Sequence, residues 1–107
     1  MAITRFYNIT GSSGVTVELL APGANNPSVK SILFTNVHAS NDAEVSVFIQ
    51  NDPITGTTST FNILYTISIP SSTSLEFDTP TLTKLPQEFG LYITVGATDT
   101  LDVMLNI

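Results

Sequence analysis

A chain of 107 residues with 42% hydrophobic content has the size of one domain and enough apolar mass to bury a core, which excludes a disordered chain. Nine acids against three bases leave a net charge of −6, and the bases Arg5, Lys30 and Lys84 are too scattered to neutralise a row of phosphates, so nucleic acid and anionic membranes are excluded as partners. Cysteine is absent, which removes disulfides and thiolate metal sites, and no apolar run approaches the roughly 20 residues of a membrane helix.

The first run, residues 3–9, is strand-like but irregular. A short hairpin loop, Gly11-Ser12-Ser13-Gly14, follows it. Val15, Val17 and Leu19 then alternate with Thr16 and Glu18. After a wider loop at residues 22–27 comes a second irregular strand at 29–37, and residues 39–42 read as closing another hairpin. Val45, Val47 and Ile49 alternate with Ser46, although Phe48 breaks the polar side. The longest polar loop spans residues 51–60. Beyond it, Phe61, Ile63, Tyr65, Ile67 and Ile69 form the longest apolar stripe. Pro70 cannot donate to a ladder and ends that strand. Ser71 to Ser74 turn a corner, and Leu75 and Phe77 are expected to re-enter the core. Leu91, Ile93 and Val95 form the next stripe, residues 96–100 a connection, and Leu101, Val103, Leu105 and Ile107 the last. Helical periodicity is missing, apart from a single turn near Pro86, Gln87 and Glu88.

Charged residues make up only 11% of the chain, so Ser, Thr and Asn must carry the polar surface. That composition suits strands and turns. About eight short strands, each with one apolar face, are stable only when two sheets stack. The expected fold is all-β: one antiparallel β-sandwich over residues 1–107, jelly-roll or immunoglobulin-like. The N-terminus shows no basic segment followed by an apolar run, so no secretory signal is expected and synthesis in a cytoplasm is.

No catalytic constellation emerges. His38 is the only histidine, and no G-x-S-x-G accompanies it, so a loop role without chemistry is expected. Glu18, Glu44 and Glu76 alternate with apolar residues as solvated strand faces, and nothing pairs them or Glu88 into a glycosidase dyad. Asn41, Asp42, Asn51, Asp52, Asp99 and Asp102 supply hard oxygen ligands, but their spacing is not that of an EF-hand, and such residues cap turns on their own account. No metal site and no cofactor is assigned. Asn8-Ile9-Thr10 matches a glycosylation sequon, read as chance without a signal sequence. More informative are the apolar residues opposite the core stripes: Leu20, Leu33, Phe48, Leu64, Tyr92 and Met104. They read either as a phase slip at a bulge or as a protein–protein contact surface, and they are the candidate contact residues.

The stretch "FNILYTISIPSSTSLEFDTPTLTKLPQEFGLYITVGATDTLDVMLNI" resembles small virion structural proteins of tailed bacteriophages, especially marine and cyanobacterial ones. The resemblance lies in a rhythm: an aromatic strand ending in "IP", a Ser/Thr corner, an "LEF" strand, a "LYITV" strand and a closing "LDVMLNI" strand. The preceding "SILFTNVHASNDAEVSVFI" extends it to residues 28–107. Membership would imply a non-enzymatic capsid decoration (cement) protein, or a neck or tail component, located in the virion and made in the host cytoplasm. Its partners would be the major capsid protein or another virion protein, and copies of itself, a trimer foremost. A carbohydrate- or receptor-binding module is the alternative from another class, against which stand the lack of tryptophan and the small number of tyrosines, Tyr7, Tyr65 and Tyr92.

Overall fold

The computed structural model describes residues 4–10, 16–23, 29–38, 40–51, 56–78, 88–96 and 100–107. The loop at 11–14, most of the loop at 22–27, the turn at Pro86 and Gln87, and the acids Asp52 and Asp99 lie outside them. Eight strands result: β1 (Thr4–Thr10), β2 (Thr16–Leu20), β3 (Ser31–Asn36), β4 (Ala43–Asn51), β5 (Thr60–Ile69), β6 (Ser74–Asp78), β7 (Phe89–Val95) and β8 (Thr100–Asn106). No helix occurs among the described residues.

The pairing is that of one long hairpin, nested from the outside in. β1 pairs with β8, β2 with β7, β3 with β6 and β4 with β5, all antiparallel. Rolling this hairpin lays β8 beside β3 and β7 beside β4. Two four-stranded sheets follow, in the orders β1-β8-β3-β6 and β2-β7-β4-β5. This is the jelly roll, not the immunoglobulin arrangement. Among the described strands, only β4 and β5 form a hairpin. Residues 39–42, expected to close one, instead carry the chain from β3 in one sheet to β4 in the other, and β1 and β2 likewise sit in different sheets. Turn chemistry is the same for a hairpin and for a cross-sheet corner, so the local sequence cannot separate them.

The core lies between the sheets. Ile32 and Phe34 of β3 face it with Leu101, Val103 and Leu105 of β8; from the other sheet come Val45, Val47, Leu91, Ile93 and Val95. The alternation expected for β4, β7 and β8 therefore holds. A hydrogen bond also joins the sheets, from the Tyr7 hydroxyl to the Leu19 carbonyl at 2.7 Å.

Bulges shift the phase of two strands. On β2, Glu18 pairs with Tyr92 but Leu20 with Leu91, so one extra residue is inserted. Leu19 and Leu20 are both buried as a result. On β5, seven steps of β4, from Ala43 to Gln50, oppose nine steps of β5, from Ile69 to Thr60. The two extra residues break the expected stripe. Leu64 turns inward opposite Val47, while Tyr65 turns outward and is 69% exposed. Phe61 keeps the inner phase but sits at the open end of the sandwich, 56% exposed and 5.9 Å from the Phe89 ring. The insertions also blunt β5, a sheet edge that a flat strand would leave open to pairing.

Pro70 ends β5 as expected, and residues 71–72 turn the corner between the sheets. Ser72 adopts a positive φ of 55°, which a non-glycine residue holds only when its surroundings fix it. The Ser72 amide donates to the His38 carbonyl at 3.2 Å, and the Asn36 amide to the Thr73 carbonyl at 2.9 Å. Beyond the corner, Phe77 packs against the core. Leu75 departs from expectation at 36% exposed: it has the inner phase, opposite Phe34, but belongs to an edge strand with one neighbour.

Candidate functional site

The structure divides the six candidate contact residues among three places. Leu20 is 1% exposed and Leu64 packs against the core, because the two bulged strands reverse their phase. Leu33 and Met104 lie on the outer face of the β1-β8-β3-β6 sheet, and Phe48 and Tyr92 on the outer face of the other. The six do not form one surface.

On the first sheet, register assembles a row. Phe6 pairs with Met104, Met104 with Leu33, and Leu33 with Glu76. Strands lie about 4.8 Å apart, so these side chains form one continuous stripe across the sheet. Polar cross-strand pairs flank it on both sides. Asn8 donates to Asp102 at 2.6 Å, Thr35 and Ser74 share a bond of 2.9 Å, and Asn106 donates to Ser31 at 2.7 Å. The sequon asparagine Asn8 and the candidate calcium ligand Asp102 thus satisfy one another. Phe6 is 69% exposed and is the largest apolar group of the row. Sequence reading passed over it because it falls in the irregular first strand. Its signal is visible only once β1 is set against β8: it is opposite Met104, itself off-phase.

A pocket of about 350 Å³ opens on the outer face of the second sheet, lined by Phe48, Tyr65, Thr66, Ser46, Asn62 and Glu44 among others. Phe48 stacks on Tyr92 in register, with ring centroids 5.7 Å apart and an interplanar angle of 22°. Tyr92 is itself held over Gly90. A Cβ built at Gly90 would stand 2.9 Å from the Tyr92 hydroxyl and 2.7 Å from the Leu20 carbonyl. The second contact is to backbone and cannot swing away. Gly90→Ala is therefore expected to lower stability by about 1–3 kcal/mol, as overpacking does, and to tilt the Phe48–Tyr92 pair. Denaturant melts with near-ultraviolet circular dichroism check it; an unchanged melt would show that the β2–β7 pair has slack there.

His38 has a structural role that the sequence did not show. Its Nδ1 accepts from the amides of Ser40 and Asn41, each at 3.1 Å, and shapes the β3–β4 corner. Asn41, the other candidate ligand in this corner, directs its side chain to the same ring at 3.4 Å. No group of three or more His, Cys, Asp or Glu residues able to hold a metal occurs among the described residues.

No protein-family model and no curated protein matches the sequence. Solved structures do resemble the fold. A chain in the structure of infectious bursal disease virus, Gt strain, superposes with a TM-score of 0.56 at 13% identity, over 100% of this chain and 33% of that one. A chain of the T13 infectious bursal disease virus particle gives 0.53 at 16% identity, over 99% and 31%. The chain thus spans about a third of the length of the structures it matches. At such identities the likeness is one of fold, and that fold is the β-sandwich derived above.

Proposed function

We propose that this chain is a non-enzymatic structural component of a tailed-bacteriophage virion, a capsid decoration protein that cements neighbouring shell subunits. The observation that carries the reading is the fold: a complete eight-strand jelly roll that superposes, over the whole chain, on chains from virus structures. The sequence resemblance to phage virion proteins points the same way. The exposed row Phe6–Met104–Leu33, rimmed by polar pairs, has the composition of a contact patch, with an apolar centre and a hydrogen-bonding border. Its partner is a shell subunit, and the decorating copies associate as a homo-oligomer, a trimer foremost.

A cryo-EM map of purified particles tests this. Decoration requires on the order of hundreds of copies under icosahedral symmetry; about a dozen or fewer would place the protein at a neck or tail instead. Isolated copies that touch nothing through this face would remove the contact role. In a paired experiment, Phe6→Ser with Met104→Ser should leave the chain folded and lower its stability by about 2 kcal/mol or less, the loss of two cross-strand apolar pairs on an outer face. Particle binding should fall about tenfold or more, as loss of a central aromatic anchor does. Binding at full strength would exclude this face as the contact.

A further inference from the structure

We infer that the Phe6 row receives a cationic surface of a different protein, an apolar group with a Lys or Arg beyond it, and not a second copy of this chain. The inference rests on the contact reading above and names the chemistry of the partner that the row selects. It starts from where the row ends. Leu33 pairs with Glu76, so the stripe Phe6–Met104–Leu33 runs into a carboxylate on the edge strand β6. Glu76 is exposed, and no hydrogen bond or ion pair engages its carboxylate among the described residues. A second acid stands beside the row. Asp102 shares the outer phase of Met104, and the bond it accepts from Asn8 comes from a neutral amide, which leaves its charge in place.

No base answers these acids on the same face. The four strands of this sheet hold one, Arg5, and it pairs with the buried Leu105, which gives it the inner phase. Lys30 precedes β3, and Lys84 lies outside the described residues. Exposed acids are well solvated, and covering them without a counter-charge costs free energy. That separates the possible occupants. A second copy laid on this face brings the same apolar row and the same two acids, so its outer face offers Glu76 no counter-charge. Like charges brought together across an interface suppress the wrong partner.

A partner with a Lys or Arg removes that cost. Adjacent strands lie about 4.8 Å apart, so such a side chain can lay its aliphatic stem on Leu33 and set its head group at Glu76, one strand further. From Phe6 to Glu76 the row covers three strand spacings, so the partner's apolar group and its base stand about 14 Å apart. The net charge of −6 acts in the same direction, since it speeds encounter with a basic surface and slows encounter with another copy. Contacts between decorating copies then use another surface.

The test uses the full chain and purified particles assembled without it, with binding followed at about 50 and about 500 mM NaCl. Binding is expected to weaken about tenfold at the higher salt, because salt screens charges at a surface. Glu76→Gln should weaken binding about tenfold and flatten the salt dependence, and Glu76→Lys should weaken it about a hundredfold or more. Both should leave the melting temperature of the free chain within about 3 °C, since the position is exposed. Sedimentation should give one oligomeric state for the unchanged chain, Glu76→Lys and Phe6→Ser. Full-strength, salt-independent binding by Glu76→Lys, with binding lost in Phe6→Ser with Met104→Ser, overturns this inference and leaves the contact reading standing. Full-strength binding by that double variant, or no binding by the unchanged chain, overturns both. An oligomer of the free chain that dissociates on Phe6→Ser or tightens on Glu76→Gln also overturns the inference, because a copy would then occupy the row.

Discussion

Removal of residues 104–107 is expected to abolish folding. β8 is not a fraying end: it lies between β1 and β3, paired on both sides. The deletion takes away Leu105 and Ile107, both buried in the core. Losing one such side chain costs about 2–5 kcal/mol. Two of them approach the whole stability of a small domain, about 5–15 kcal/mol. The deletion also removes the strand residues opposite Arg5 and Phe6 on one side and opposite Ile32 and Leu33 on the other, and with them that part of both ladders. It leaves two new strand edges facing one another, a template for aggregation. The single variant Leu105→Ala should stay soluble and lose about 2–5 kcal/mol. Soluble expression and thermal melts of both proteins decide the matter. A truncated chain that melts like the intact one would show that the last strand contributes nothing to the core.

Asn36→Ala should be nearly as damaging as Leu105→Ala, although it removes no apolar group. Asn36 is the buried polar side chain at the end of β3, 1% exposed. Its Nδ2 donates to the Asn41 carbonyl at 2.9 Å and to the Ile69 carbonyl at 3.0 Å, and its Oδ1 accepts from the His38 amide at 2.9 Å. One side chain thereby ties β3, the β3–β4 corner and the end of β5. Each group left without a partner in the interior costs about 1–3 kcal/mol, so a loss of about 2–4 kcal/mol is expected once solvent reaches the Asn41 side of the corner. Thr35→Ala, its neighbour, gives up only an exposed hydroxyl pair with Ser74 and should change stability by about 0.5 kcal/mol or less. Urea melts of the two variants compare them directly. Similar small losses would mean that the corner is held by its backbone bonds alone.

Several features follow from the sequence by itself, because they depend on residues two apart on one strand. The alternation of Val45, Val47 and Ile49, of Leu91, Ile93 and Val95, and of Leu101, Val103 and Leu105 places each set toward the core, since side chains of a strand alternate between its faces. The low charge has its counterpart in hydroxyl and amide pairs between strands, such as Thr16 with Thr94 and Gln50 with Thr60. Pro70 stops β5 for a purely local reason, the missing amide proton.

What the tertiary structure decided is everything that depends on a partner strand. Which strands pair is set by the closing of the roll, so the corner at 39–42 and a hairpin turn look alike until β3 and β4 are seen in different sheets. Which face Leu20, Leu64 and Tyr65 occupy is set by inserted residues, and an insertion exists only relative to the strand opposite. The two outer surfaces follow the same rule. Phe6, Met104 and Leu33 lie far apart in the chain and become one row only through register. Phe48 and Tyr65 meet over one pocket because a bulge turns the second ring outward, against the alternation that would have buried it.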